Sequence, residues 1–180
     1  MNEDQETQLR EIRDARISKK SRRHYQSSSC KFITWLYREG KHEFLSEHLL
    51  TVLNAAEALG SDALRQAIFE VLESKTNPPL VFEKLTSDIF LTWIFGLRTF
   101  KGQKPGTSAL ASHRAALFNL FADFRITMSL VLSRDMATSF KGLKKTKALE
   151  IAQGLSSIKI GKDPLSFSSY RWLANCFFPV

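Results

Sequence analysis

Apolar positions along this chain recur at helical spacing almost throughout, and no run alternates apolar with polar residues as a half-buried strand would. The first periodic segment follows Ser21, which can cap a helix running to about Glu39 and closing on Gly40. At about 100° per residue, Tyr25, Phe32 and Leu36 share one face, with Ser28 and Ser29 beside them. The opposite face collects Lys20, Arg23, Ser27, Lys31, Thr34 and Arg38, and this stripe holds no acid. Surface helices ordinarily mix signs, so a uniformly basic stripe points beyond mere solvation.

Ser46–Leu59 reads as a second helix, with Leu49, Leu50, Val52, Leu53 and Ala56 apolar and Gly60 as its stop. Ser61 then caps a third, in which Leu64, Ile68, Val71 and Leu72 repeat, and Asn77-Pro78-Pro79 closes that run. Thr86-Ser87-Asp88 is a capping signal ahead of Ile89–Arg98, whose nearly continuous apolar character predicts a helix buried on most sides at the centre of the core. A basic loop, Thr99–Gly106, leads to a helix opened by Thr107 or Ser108 and reaching Phe124. Leu110, Leu117, Leu120, Phe121 and Phe124 form its inner face, bordered by His113 and Arg114, which are expected to pack half-buried. Ser108, Ser112, Ala115 and Asn119 form its outer face, small enough to admit close approach of a partner. Ser133–Gln153 is a further helical stretch, Leu155–Pro164 interrupts the periodicity, and Ser166–Phe178 starts a new amphipathic segment. The expected fold class is therefore all-α, a small helical bundle with a short C-terminal helix after a linker.

Composition changes this picture mainly through charge. The 180 residues carry a net charge of +8. Residues 98–147 hold ten Lys/Arg against two Asp/Glu, whereas residues 61–97 hold three against five. A second basic block, Arg16 to Lys31, contains no acid at all. Blocked positive charge on a folded chain points to a polyanion. The most apolar stretch falls far short of the roughly 20 residues a membrane crossing requires, and the polar start reads as no secretory signal. Cys30 and Cys176, far apart and without neighbours at metal-ligand spacing, fit a reducing compartment. The expectation is a nuclear protein, or a cytoplasmic one if prokaryotic, and not a secreted one.

A search for chemistry finds no constellation. His24, His42, His48 and His113 form no metal-binding pair on an apolar face, and Cys30 reads as a structural thiol. Gly102-Gln103-Lys104-Pro105-Gly106 lacks the spacing of a phosphate-binding loop. From the residues alone the chain reads as a basic helical binding module with no cofactor, no metal and no small-molecule substrate.

One order of features is more specific than its parts. A Ser-initiated helix with Tyr25, Phe32, Trp35 and Leu36 is followed by Leu85-Thr86-Ser87-Asp88-Ile89 and the apolar Phe90–Leu97. A basic loop comes next, then Thr107-Ser108 and Arg114-Ala115-Ala116-Leu117-Phe118-Asn119-Leu120-Phe121. From about Ile17 to Phe124 this resembles the N-terminal, SAM-like core-binding domain of tyrosine recombinases of the phage-integrase type. The tail, Gly161-Lys162-Asp163-Pro164-Leu165 with Phe167, Tyr170, Arg171 and Leu173, is similar to the segment opening the catalytic domain in Crypton-type recombinases of eukaryotic mobile elements. The sequence departs from the family in a long insertion around Ala56–Pro79, and in Ser28 and Ser29, which stand where the pattern has apolar residues.

The resemblance implies an N-terminal extension over residues 1–16, a helical core-binding domain over 17–153, a linker over 154–165 and the first helix of a truncated catalytic domain over 166–180. It implies duplex DNA as the partner, with self-association on DNA. It also implies that the chain does not itself cut DNA, because the family's Arg/Lys/His/Arg/His-or-Trp set cannot be placed and Tyr170 stands too early to be the nucleophile. Carried over by position, the DNA-facing candidates are Lys20, Ser21, Arg23, Ser27 and Lys31, with Lys101, Lys104, Thr107, Ser108 and Ser112. The competing reading is a helical protein-interaction module meeting an acidic partner, with Lys19-Lys20-Ser21-Arg22-Arg23 as a nuclear import signal. The two separate on whether the first-helix stripe and the Lys101–Ser112 patch share one surface.

Overall fold

The computed structural model describes residues 15–153, with Gln5, Gln8 and Ile12 ahead of them. Residues 15–153 form six α-helices: α1 (Lys19–Arg38), α2 (Glu47–Glu57), α3 (Ser61–Ser74), α4 (Ser87–Gly96), α5 (Thr107–Asp123) and α6 (Leu130–Ala152). Among the described residues there is no strand, so the all-α expectation holds. The chain divides into two compact units, Met1–Leu143 and Lys144–Val180. Of the second, the described residues are the end of α6, where Lys147 Nζ lies 2.7 Å from Glu150 Oε2. The expected linker and final helix, residues 154–180, lie outside the described residues, as does most of the expected extension over residues 1–16.

Helix starts correct the sequence reading by a few residues. α1 is capped by Ser18, whose hydroxyl accepts a hydrogen bond from the Ser21 amide at 3.1 Å. Ser21 therefore lies in the first turn and is not the cap. Ser18, Ser21 and the Ser27–Ser29 run all offer capping hydroxyls, and only the geometry of the preceding backbone selects among them. α2 is capped by Ser46 and α4 by Thr86, as expected. Ser61 does not cap α3. Gly60 does so at φ +105°, a conformation that favours glycine, and it also ends the turn from α2.

α2 and α3 form a helical hairpin closed at its base, and the segment around Ala56–Pro79 supplies its second half. Ser46 N donates to Pro79 O at 3.0 Å and Val81 N donates to Phe44 O at 2.9 Å, which forms an isolated antiparallel bridge between Leu45 and Leu80. α3 ends at Ser74, ahead of the prolines, because Lys75 turns left-handed at φ 52°.

The core has two aromatic centres. Phe32 of α1 meets Phe90 edge-on at 5.4 Å and Trp93 at 5.0 Å, both from α4, and Trp35 stacks on it at 6.3 Å. Phe82 meets Phe121 of α5 edge-on at 4.6 Å. Such pairs add a directional preference to ordinary apolar burial. α4 is less enclosed than its composition predicts: Phe90, Trp93 and Ile94 are buried, but Phe95 is 53% exposed. Its apolar surplus occupies a face that no other described element covers.

Charge also ties the fold together. Asp123 at the end of α5 receives Arg16 at 3.2 Å, Arg22 at 3.6 Å and Lys75 at 3.9 Å on one carboxylate oxygen. Its other oxygen accepts a hydrogen bond from Asn119 Nδ2 at 2.7 Å, while Arg16 donates to Asn119 Oδ1 at 2.6 Å. One carboxylate therefore gathers the segment before α1, α1 itself, the end of α3 and α5.

Two outcomes follow from this packing. Phe32→Ala, which empties the contact between α1 and α4, should lower the unfolding free energy by about 3–5 kcal/mol in urea denaturation. Asp123→Ala, which leaves three cations without their shared partner, should cost about 2–3 kcal/mol. Raising the salt concentration should change the wild-type denaturation midpoint more than that of Asp123→Ala.

Candidate nucleic-acid interface

The helical period of α1 sorts its side chains as the pattern required. Ser28, Ser29, Phe32, Ile33 and Leu36 are buried, while Lys20, Arg23, Lys31 and Arg38 are exposed. Ser21, Ser27 and Thr34 are half-buried along the same stripe. Lys19, Lys20, Arg22 and Arg23 crowd the first turns of α1, which contain no acid. Cations there oppose the positive end of the helix dipole, each at a cost of about 0.3–1 kcal/mol. Asp123 offsets this at Arg22, at 3.6 Å, and Lys19, Lys20 and Arg23 stay exposed to solvent.

α5 packs along α1 through small residues: Ser28 and Ser29 on one side, Ala116 on the other, all buried. The seam is closed by two hydrogen bonds one turn apart, His24 Nε2 with Ser112 Oγ at 2.8 Å and Ser28 Oγ with His113 Nδ1 at 2.6 Å. The His113 ring also lies edge-on to Trp93 at 5.1 Å. This accounts for the two serines at apolar positions of the pattern. Ser28 satisfies a half-buried imidazole, and neither serine holds the helices apart.

The ten sequence-derived candidates fall in three places. Lys20, Ser21 and Arg23 stand on the opening turns of α1. Ser27 and Lys31 continue the stripe into a cleft of about 560 Å³, where they meet Thr34, Arg38, Trp35 and Trp93. Lys101 and Lys104 are exposed on the loop, Thr107 and Ser108 open α5, and Ser112 sits on the seam beside His24. The seam thus brings Ser112 to the α1 stripe. The loop leaves α4 at Leu97, a wall of the same cleft as Lys31. Two parts of the expected outer face of α5 prove otherwise. Asn119 is buried in the Asp123 network, and Ser112 is half-buried because its hydroxyl is committed to His24.

The structure adds residues that the sequence reading did not select. Arg65 of α3 lines the cleft opposite Lys31, together with Asp62 and Glu39 at its rim. Its charge was masked by the acidic balance of residues 61–97, and only the closed hairpin carries it to α1. His24, exposed on α1, holds Ser112. Arg114 packs as expected, its guanidinium 4.8 Å from the Phe140 ring centre.

Cys30 is buried, and burial pushes its thiol above its ordinary value. This agrees with a structural role. Among the described residues no three His, Cys, Asp or Glu side chains gather as a metal site would need. No described helix is long and apolar enough to cross a membrane.

His113 is held below its ordinary value of 6.5, first by burial and then by the charges of Lys31 and His24. The unfolded chain therefore takes up the proton before the folded one does, so the stability contributed here is complete above about pH 6.5 and declines as pH falls below it. Urea midpoints should drop between about pH 7.5 and about pH 5.5, and His113→Gln should reduce that drop. An equal drop in the variant would remove His113 as its source.

No family model, curated protein or solved structure matches this chain, so its surface chemistry carries the functional argument.

Proposed function

We propose that this chain binds duplex DNA through the face formed by α1, the Thr99–Gly106 loop and the start of α5. In this proposal it serves as the core-binding part of a tyrosine recombinase of a mobile element. The observation that carries the reading is the acid-free run of cations from Arg16 to Lys31, of which Lys19, Lys20 and Arg23 stay in solvent at a helix end where positive charge is disfavoured and Lys31 stays in solvent farther along the same helix. A fold that keeps such a cluster gains most from it when an anion arrives, because phosphates relieve both the mutual repulsion and the unfavourable dipole.

Dimensions support the same reading. Lys20 and Lys31 are separated by about 16 Å along the helix axis at 1.5 Å per residue. A major groove is about 12 Å wide, so one helix can reach phosphates on both of its edges. Lys20, Arg23, Lys31, Lys101 and Lys104 then hold phosphates and set register. Ser21, Ser27, Thr107 and Ser108 offer hydroxyls to phosphate oxygens or base edges, and Ser112 does so only by exchanging its bond with His24. Strand cleavage belongs, on this reading, to a separate catalytic domain.

If about six phosphates are neutralised, log K should fall with log salt at a slope near −5 in mobility-shift titrations. Replacing Arg23 and Lys31 together by Ala should weaken binding and flatten the slope by about 2, one for each lost contact. Absence of binding at low salt would overturn the proposal, and an unchanged slope in the double variant would move the interface off α1.

A further inference from the structure

Phe100 has no place in the phosphate contacts described above. It is completely exposed, at 106% of its reference area, on the turn between α4 and α5. The turn is tightly held. Gly102 N donates to Thr99 O at 2.8 Å, Thr99 N donates to Gln103 O at 2.8 Å and Gln103 N donates to Thr99 Oγ1 at 3.1 Å. Gly102 takes φ +73°, the left-handed conformation that closes the turn. Upstream, the Arg98 guanidinium donates to the carbonyls of Phe95 and Leu97 at 2.9 and 2.8 Å, satisfying acceptors at the end of α4. A large apolar ring is thus presented to water on a braced support.

Its surroundings specify what can cover it. Lys101 and Lys104 follow it on the same turn, both exposed, and no Asp or Glu occurs in the sequence between Asp88 and Asp123. The two ends of the segment border the basic face: Leu97 lines the cleft with Lys31, and Ser112 is bonded to His24 of α1. A flat ring of one residue's width on the same turn as two exposed ammonium groups suits a partner that offers an apolar slot bordered by negative charge. A duplex has this arrangement where two stacked base pairs lie between their phosphates.

We propose that Phe100 is a wedge that enters between base steps of bound duplex DNA, with Lys101 and Lys104 holding the flanking phosphates. The inference rests on the DNA-binding reading and adds to it a deformation of the duplex. Partial insertion replaces base–base stacking with base–ring stacking, so it favours steps that unstack easily, and pyrimidine–purine steps are the preferred class.

The test uses the full chain and duplexes carrying 2-aminopurine, whose fluorescence rises when it unstacks, at a central pyrimidine–purine step. Wild-type protein should raise the fluorescence on binding. Phe100→Ala should lower affinity about tenfold and abolish the rise while leaving the salt slope unchanged, because no phosphate contact is lost. Phe100→Trp should restore both affinity and signal. Lys101→Ala should give the converse, a slope flattened by about 1 with the fluorescence rise retained. Because Phe100 is exposed, thermal melts of both Phe100 variants should match the wild type.

Wild-type binding without a fluorescence rise would overturn the wedge and leave the DNA reading standing. A flattened slope in Phe100→Ala would overturn it too, since the ring would then only position the lysines. Normal DNA binding by Phe100→Ala together with loss of a concentration-dependent dimer would make Phe100 a contact between copies of the chain, against the wedge. No binding by the wild type at low salt would overturn the underlying reading itself.

Discussion

The close approach of α1 to α5 is the constraint on which the other surfaces depend. It requires small side chains at the contact, and Ser28, Ser29 and Ala116 supply them. Ser28 is acceptable there because its hydroxyl finds a partner. A half-buried imidazole, His113, meets Ser28 at 2.6 Å, so neither group is left unsatisfied as the helices close. With this seam formed, Trp93 packs against both the His113 ring and Phe32. α4 is thereby positioned, and with it the start of the basic loop.

The fold uses its cations in two ways. Arg16, Arg22 and Lys75 converge on Asp123, and Arg114 lies over Phe140, so these charges serve internal geometry. Lys19, Lys20, Arg23, Lys31, Lys101 and Lys104 remain in solvent. Net charge alone does not distinguish the groups. Arg22 and Arg23 are adjacent in sequence, yet the helical turn between them sends one to a carboxylate and leaves the other outside. The run Lys19-Lys20-Ser21-Arg22-Arg23 is therefore part of a folded helix anchored at Arg22, not an extended basic peptide.

Most helices were legible because their apolar residues repeat with the helical period, and the sorting of α1 into a core face and a basic face followed directly from that period. What was illegible depended on contacts distant in sequence. The choice of Ser18 over Ser21 as cap is decided by one extended residue ahead of the helix, where several hydroxyls compete. The capping role of Gly60 in place of Ser61 follows from a positive φ that no pattern of apolar residues encodes. Asn119 looked like a small outward residue, and it is buried because Arg16, more than a hundred positions earlier, reaches its side-chain oxygen. α4 was over-assigned to the interior, since an apolar sequence shows which side chains avoid water but not which faces have neighbours. Arg65 was hidden in a segment of negative balance until α2 and α3 folded back on each other.

The bridge between Leu45 and Leu80 has a consequence for modularity. It brings the two ends of the α2–α3 hairpin to neighbouring backbone positions, joined by two hydrogen bonds. An excursion that departs and returns at one point can be lengthened, shortened or replaced with little strain on the chain that carries it. The hairpin nevertheless supplies one wall of the cleft facing Lys31, through Arg65. Exchange of this single unit would alter what lines the cleft, provided the replacement restores the apolar face that Leu49, Leu53, Leu64, Ile68 and Leu72 contribute to the common core.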